Sequence, residues 1–146
     1  MASKYKDIID GFKLKFESFN GVAFELNPDS AISASNEKTI IVMRDDDSPD
    51  VIYSPLGGNN SVGYQAEIDL EIYVYNTDAS VRENDMDQIL TALDQALQAD
   101  IDLGGLIEGM TYSQPDTSTE KTDSTVPAKR ANFSVSFEYY TATPLS

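Results

Sequence analysis

Three carboxylates alternate along one short stretch: Glu67, Asp69 and Glu71, in the run Q-A-E-I-D-L-E-I-Y-V-Y at residues 65–75. Side chains alternate across a β-strand, so these acids share one face, while Ile68, Leu70, Ile72 and Val74 share the other. Same-face neighbours on a strand repeat every ~7 Å. A pair such as Glu67 and Glu71 has the residue types for holding a water for acid–base hydrolysis. The competing reading is a solvated strand face. It prevails, because like-charged neighbours on exposed faces are common and no pocket signature surrounds these three. A second acidic run, Asp45, Asp46, Asp47 and Asp50, lies in the irregular stretch 44–63 together with Tyr53. It lacks the spacing, the turn glycine and the flanking helices of an EF-hand, so it reads as a solvated loop available to a partner. The Gly57-Gly58 segment is no phosphate-binding loop, since no Gly-Lys-Ser/Thr follows.

What is missing narrows the chemistry further. The chain has no cysteine and no histidine. That removes disulfides, thiol nucleophiles, Cys/His zinc sites, histidine bases and Ser-His-Asp triads. No catalytic, metal-binding or cofactor-binding residue is assigned, and a non-enzymatic role is expected. The formal net charge is -15, and it is uneven: residues 45–120 hold 17 acids against one base, Arg82. Such a chain repels nucleic acid and self-associates only through a geometrically specific contact.

The elements that must position these residues follow from periodicity. Tyr5, Ile8, Ile9, Phe12, Phe16 and Phe19 recur at helical spacing and predict a first helix over 4–19, with Gly11 inside it at a cost of about 1 kcal/mol relative to alanine. Residues 22–26 read as a short strand. Residues 38–43, with Ile40, Ile41 and Val42 in succession, read as a strand covered on both faces or central in a sheet. Val51, Ile52 and Tyr53 suggest that part of the 44–63 loop pairs with the 65–75 strand, with Gly57-Gly58 as the turn. Met86, Ile89, Leu90, Leu93 and Leu97 form one stripe of a second helix ending near Ala99. Asn76, Asp78 and Ser80 are its N-cap candidates, and Glu83, Asp85 and Asp87 are placed in its first turns, where the helix dipole favours acids. Arg82 reads as a salt-bridge partner or a surface charge. Residues 106–113 lead into another strand. Residues 114–129, rich in Thr, Ser, Asp and Pro, read as a loop or a long hairpin tip. The last strand, 131–140, puts Phe133, Val135, Phe137 and Tyr139 on one face.

The expected architecture is therefore α+β: one domain over 1–146, with a four- to five-stranded, mostly antiparallel sheet and two amphipathic helices on one face. The opposite face, with Glu67, Asp69, Glu71, Asn132, Ser134 and Ser136, is left wet or facing a partner. No apolar run approaches the ~20 residues of a membrane span, and the N-terminal residues lack a signal peptide's apolar segment. A cytoplasmic product with no membrane partner is expected.

This layout resembles the tail terminator proteins of long-tailed bacteriophages, the lambda-like type. The resemblance is carried by the N-terminal amphipathic helix and by the short apolar strand before a long loop. It also rests on the 65–75 strand feeding a D-x-x-L-type helix (Asp87 to Leu97), the L-x-x-L-I-x-x-M segment (Leu103 to Met110), and the terminal F-S-V-S-F-E-Y-Y strand. It spans nearly the whole chain through order and spacing, without a diagnostic motif. It implies a ring-forming structural protein of the virion, a hexamer by analogy, assembled in the host cytoplasm and located at the head-proximal end of the tail. Such a ring binds itself, the tail tube protein and a head-completion or connector protein, and DNA passes through its channel without specific binding. On that reading Glu67, Asp69 and Glu71 face the channel or a neighbouring subunit, and the Asp45, Asp46, Asp47, Asp50 and Tyr53 loop contacts a partner. A neck or head-completion protein of the same virion is a close alternative. An acidic, monomeric, inhibitor-type binding module is a second one.

Overall fold

The computed structural model describes residues 3–19, 21–28, 38–45, 49–53, 62–120 and 126–142. In chain order these form α1 (Lys4–Glu17), β1 (Val22–Leu26), β2 (Lys38–Arg44), β3 (Asp50–Tyr53) and β4 (Val62–Tyr75). Then come α2 (Ala79–Ala99), β5 (Gly109–Tyr112), β6 (Asp116–Glu120) and β7 (Ala128–Thr141). The class is α+β, as expected, with a seven-stranded mixed sheet among the described residues.

The sheet is built on one long antiparallel pair. All 14 residues of β4 pair with β7, from Val62↔Thr141 to Tyr75↔Ala128. β2 pairs antiparallel with the C-terminal half of β4, and β1 adds to β2 in parallel. The strand count exceeds the expected four to five because two short strands lie within stretches read mainly as loops. β3 pairs with the beginning of β4, as the apolar Val51-Ile52-Tyr53 segment suggested, and β6 pairs with the beginning of β7. Both are short edge strands with polar neighbours, so their own pattern is weak and their long partners decide them. Gly57 and Gly58 lie outside the described residues. β4 and β7 also start three residues earlier than predicted, because pairing carries the ladder beyond the clean alternation.

Both helices pack on one face. Ile8, Ile9, Phe12 and Phe16 of α1 and Met86, Ile89, Leu93 and Leu97 of α2 are buried against the even-numbered residues of β4 and the odd-numbered residues of β7. The registers Ile41↔Ile72, Leu70↔Phe133 and Ile68↔Val135 keep this face continuous across three strands. Ser3 caps α1, its side chain accepting from the Lys6 amide. α1 runs unbroken through Gly11, and the reason is close approach: a Cβ there would lie 3.1 Å from Leu103 Cδ2. Leu103 holds a left-handed backbone (φ 52°) to place its side chain in the core against that bare helix surface.

Asp78 is the N-cap of α2, accepting from the Ser80 and Val81 amides. Asn76 instead builds the preceding turn, accepting from the Asp78 amide at 2.8 Å. Arg82 donates to the Asn76 carbonyl at 2.6 Å, tying helix to turn. The helix begins at Ala79 and has no acid in its first turn. Glu83, Asp85 and Asp87 thus lie beyond the reach of the dipole, which fades within one turn. Glu83 is held by Lys129 of β7 instead.

The opposite face is only partly wet. Ile40, Val42, Tyr75, Val126 and Ala128 form a second, smaller core there, with Tyr73 packed against it. β2 is therefore covered on both faces, Ile41 and Met43 by the helix side and Ile40 and Val42 by the other, as its unbroken apolar run required.

Candidate functional site

The candidate site is the polar end of the helix-free face. It is built by the odd residues of β4 and the even residues of β7, which the register sets side by side: Glu67↔Ser136, Asp69↔Ser134 and Glu71↔Asn132. Alternation puts all three acids on this face, as predicted. Their surroundings then divide them. Glu67 and Asp69 are exposed, and Asp69 accepts a hydrogen bond of 2.8 Å from the Ser134 hydroxyl. Glu71 is partly buried and compensated. The Arg44 Nε lies 3.3 Å and the Arg130 Nη2 3.5 Å from its Oε1, and the Tyr73 hydroxyl donates to its Oε2 at 2.7 Å. The Arg130 guanidinium also stands over the Tyr73 ring, 5.9 Å from its centroid.

This cluster was hidden in the sequence. Arg44 and Arg130 lie outside the acid-rich stretch and 86 positions apart along the chain. β2 and β7 flank β4 on either side, so each brings one arginine diagonally across to the same carboxylate. Glu71 thereby belongs to the scaffold, and of the three acids of β4 only Glu67 and Asp69 stay open. Glu71→Ala would leave two guanidiniums facing each other and should destabilise by about 1–2 kcal/mol, whereas Glu67→Gln should stay within ~0.5 kcal/mol. Denaturant midpoints of the two variants measure the contrast, and equal midpoints would show Glu71 to be a surface charge like its neighbours.

Three tyrosines ionise above their ordinary value, Tyr112 among them through burial and its hydrogen bond to Asp94. Burial first, then the hydrogen bond and charge of Glu71, push Tyr73 up to about 12, with Arg130 opposing. Burial, with smaller contributions from Tyr5 and Tyr64, pushes Tyr139 to about 12 as well. An unfolded tyrosine ionises near ~10. Between ~10 and about 12 the folded state therefore retains protons that the unfolded state has released, so stability falls as pH rises through that window. The unfolding midpoint should change little between pH ~7 and ~9 and drop above ~10, and Tyr73→Phe should shallow the drop. A midpoint with the same alkaline slope in Tyr73→Phe would contradict the assignment.

Of the acidic loop, Asp50 reaches this face, because its register partner Gln65 lies on the side of β4 that carries Glu67 and Asp69. The Asp45 amide donates to the Asn27 side-chain oxygen at 3.1 Å, and the Asp45 carboxylate accepts from the Asn27 amide group. That fixes Asp45 beside the end of β1. Asp50 is exposed on β3 and paired in register with Gln65; Tyr53 pairs in register with Gly63. Asp46 and Asp47 lie outside the described residues. Among the described residues, no three carboxylates converge to hold a metal ion, and no helix is long and apolar enough to cross a membrane.

Two concave features lie on the other, helix-covered side of the sheet. A cleft of about 500 Å³ opens between α2 and the β5–β6 connection, floored by Leu93, Leu97 and Phe133. At its rim Tyr112 donates to Asp94 and accepts from Gln98. A groove of about 500 Å³ runs between α1 and α2, lined by Gly11, Leu14, Lys15, Ala99, Asp100 and Leu106, among others. Periodicity gave no sign of either, since both arise where elements distant in sequence meet. No protein-family model and no curated protein sequence matches the chain.

Proposed function

We propose that this chain is a structural, ring-forming tail terminator of a long-tailed bacteriophage. In that role it caps the tail tube, ends its polymerisation and offers the surface that joins the head. The observation that carries the reading is the one-sided sheet. Two helices cover one face of the 14-residue β4–β7 pair, and the polar end of the other face is left open, presenting Glu67 and Asp69. The apolar periodicity predicts that layout, and the resemblance to tail terminators rests on it. An acidic surface of this kind suits a channel wall, because like charge keeps passing DNA from sticking. It suits an interface between subunits less well unless a cation answers it, since unpaired buried charge is costly.

Light scattering after size exclusion, with and without tube protein, tests the reading. Negative-stain microscopy of the same fractions shows whether a ring is present. A closed ring is expected. A strict single chain at high concentration, even with tube protein added, would sink the proposal. A salt-sensitive one-to-one complex with a basic protein would favour an acidic inhibitor instead. Replacing Glu67→Gln together with Asp69→Asn should leave ring assembly intact and impair DNA-filled particles. Glu71 is kept in that variant because its loss would perturb the fold.

A further inference from the structure

Among the described residues five large apolar side chains are exposed: Leu14 (67%), Val51 (56%), Ile52 (43%), Ile101 (40%) and Val81 (36%). Four of them fall in two places. Leu14 lines the groove between α1 and α2, and Ile101 stands in the turn between Asp100 and Leu103, which line it too. Val51 and Ile52 sit on β3, which pairs only with β4 among the described residues. One place is concave and the other is a short strand presenting two exposed apolar side chains. We propose that β3 of one copy of this chain inserts Val51 and Ile52 into the α1–α2 groove of a second copy. This contact rests on the ring reading and supplies its subunit joint.

Three observations favour a second copy as the occupant. The first is separation. Val51 pairs with Tyr64, Tyr64 stacks on Tyr139, and Tyr5 of α1 lies against Tyr139 at 6.3 Å between ring centroids. β3 therefore stands near the start of α1. Leu14 is nine residues further on, ~14 Å along the helix. A chain cannot fill its own groove, whereas a neighbour displaced along α1 can, which makes a head-to-tail contact of the kind that closes into rings.

The second is charge. The β3 tip carries exposed Asp50, and the sequence before it is acidic. The cleft beneath α2 has Asp94 among its lining residues and would repel that tip. The α1–α2 groove instead has Lys15 paired with Asp100 at 3.3 Å, on a helix whose four lysines outnumber its three acids. The groove is neutral at its wall, so an acidic, apolar tip is accepted there. The third is the bulge. The β3–β4 register shifts between Val51 and Tyr53, which makes the edge of β3, unpaired among the described residues, irregular. Bulged edges resist addition of another strand, so the tip engages a neighbour through side chains rather than by extending the sheet.

The chain has no cysteine, so introduced thiols report the contact without background. Leu14→Cys and Ile52→Cys are made separately, mixed at assembling concentration and oxidised. Both residues are exposed, so both variants should keep the wild-type unfolding midpoint. The expected result is a covalent dimer in the mixture, little in either variant alone, and a ladder of higher species from the double variant. Val81→Cys mixed with Leu14→Cys is the control and should link no faster than random collision. Rapid linking of Ile52→Cys with itself would mean a two-fold contact and would overturn the proposal. A ring seen in the microscope with no link in the mixture would also overturn it, while leaving the ring reading standing. Absence of both ring and link would remove the two together. In the wild-type background Leu14→Glu should raise the concentration needed for assembly roughly tenfold or more.

Discussion

Replacing Phe12 by alanine should lower the unfolding free energy by about 3–5 kcal/mol, the largest effect expected of any single substitution in this chain. Phe12 is fully buried at the centre of α1. Its ring lies 5.5 Å from that of Phe137 on β7 and 6.0 Å from that of Phe16, one turn along the same helix. Truncation removes contacts to the sheet and to the helix at once. Leu14→Ala, two residues away on the exposed side, should shift the monomer's stability by no more than ~0.5 kcal/mol. A denaturant midpoint shows the difference directly. Similar shifts in the two variants would mean that α1 does not dock as described.

Ile72→Ala and Leu93→Ala should each cost about 2–5 kcal/mol. Ile72 is fully buried on the helix side of β4, and Leu93 is buried in the middle of the α2 stripe. Both belong to the same core, and Ile72 is flanked in register by Ile41 on β2 and Ala131 on β7. Small Ala131 beside Ile72 leaves little neighbouring volume to relax into a cavity, so the cost at Ile72 should fall in the upper part of the range. If the two sites are coupled through that shared core, the double variant will not be additive, and the cycle of four midpoints measures the coupling. Unchanged midpoints in both single variants would overturn the packing of α2 on the sheet.

The two strongest elements were legible because their signals are local. The 2-residue period of 65–75 and the 3- and 4-residue period of Met86 to Leu97 each reflect one buried face, and both elements lie where those periods put them. The continuous run Ile40-Ile41-Val42 also announced burial on two faces, and the structure supplies a core on each. β3 and β6 were harder to read, since a strand of four or five residues gains its stability from a long neighbour and not from its own composition. The dipole reason given for Glu83, Asp85 and Asp87 does not hold, because Asp78, of the three cap candidates, starts the helix at Ala79 and leaves these acids past its first turn.

Sequence by itself determined the absence of histidine and thiol chemistry, the excess of negative charge, and the placing of Glu67, Asp69 and Glu71 on one side of a strand. These follow from composition and from the alternation of an extended backbone. Only the tertiary structure decided that the three acids differ. Antiparallel pairing draws Arg44 and Arg130 from outside the acidic stretch onto Glu71, while Glu67 and Asp69 face serines and stay open. The physical reason is register: which residue sits diagonally across a ladder depends on strands far apart in the chain, and no local period encodes it.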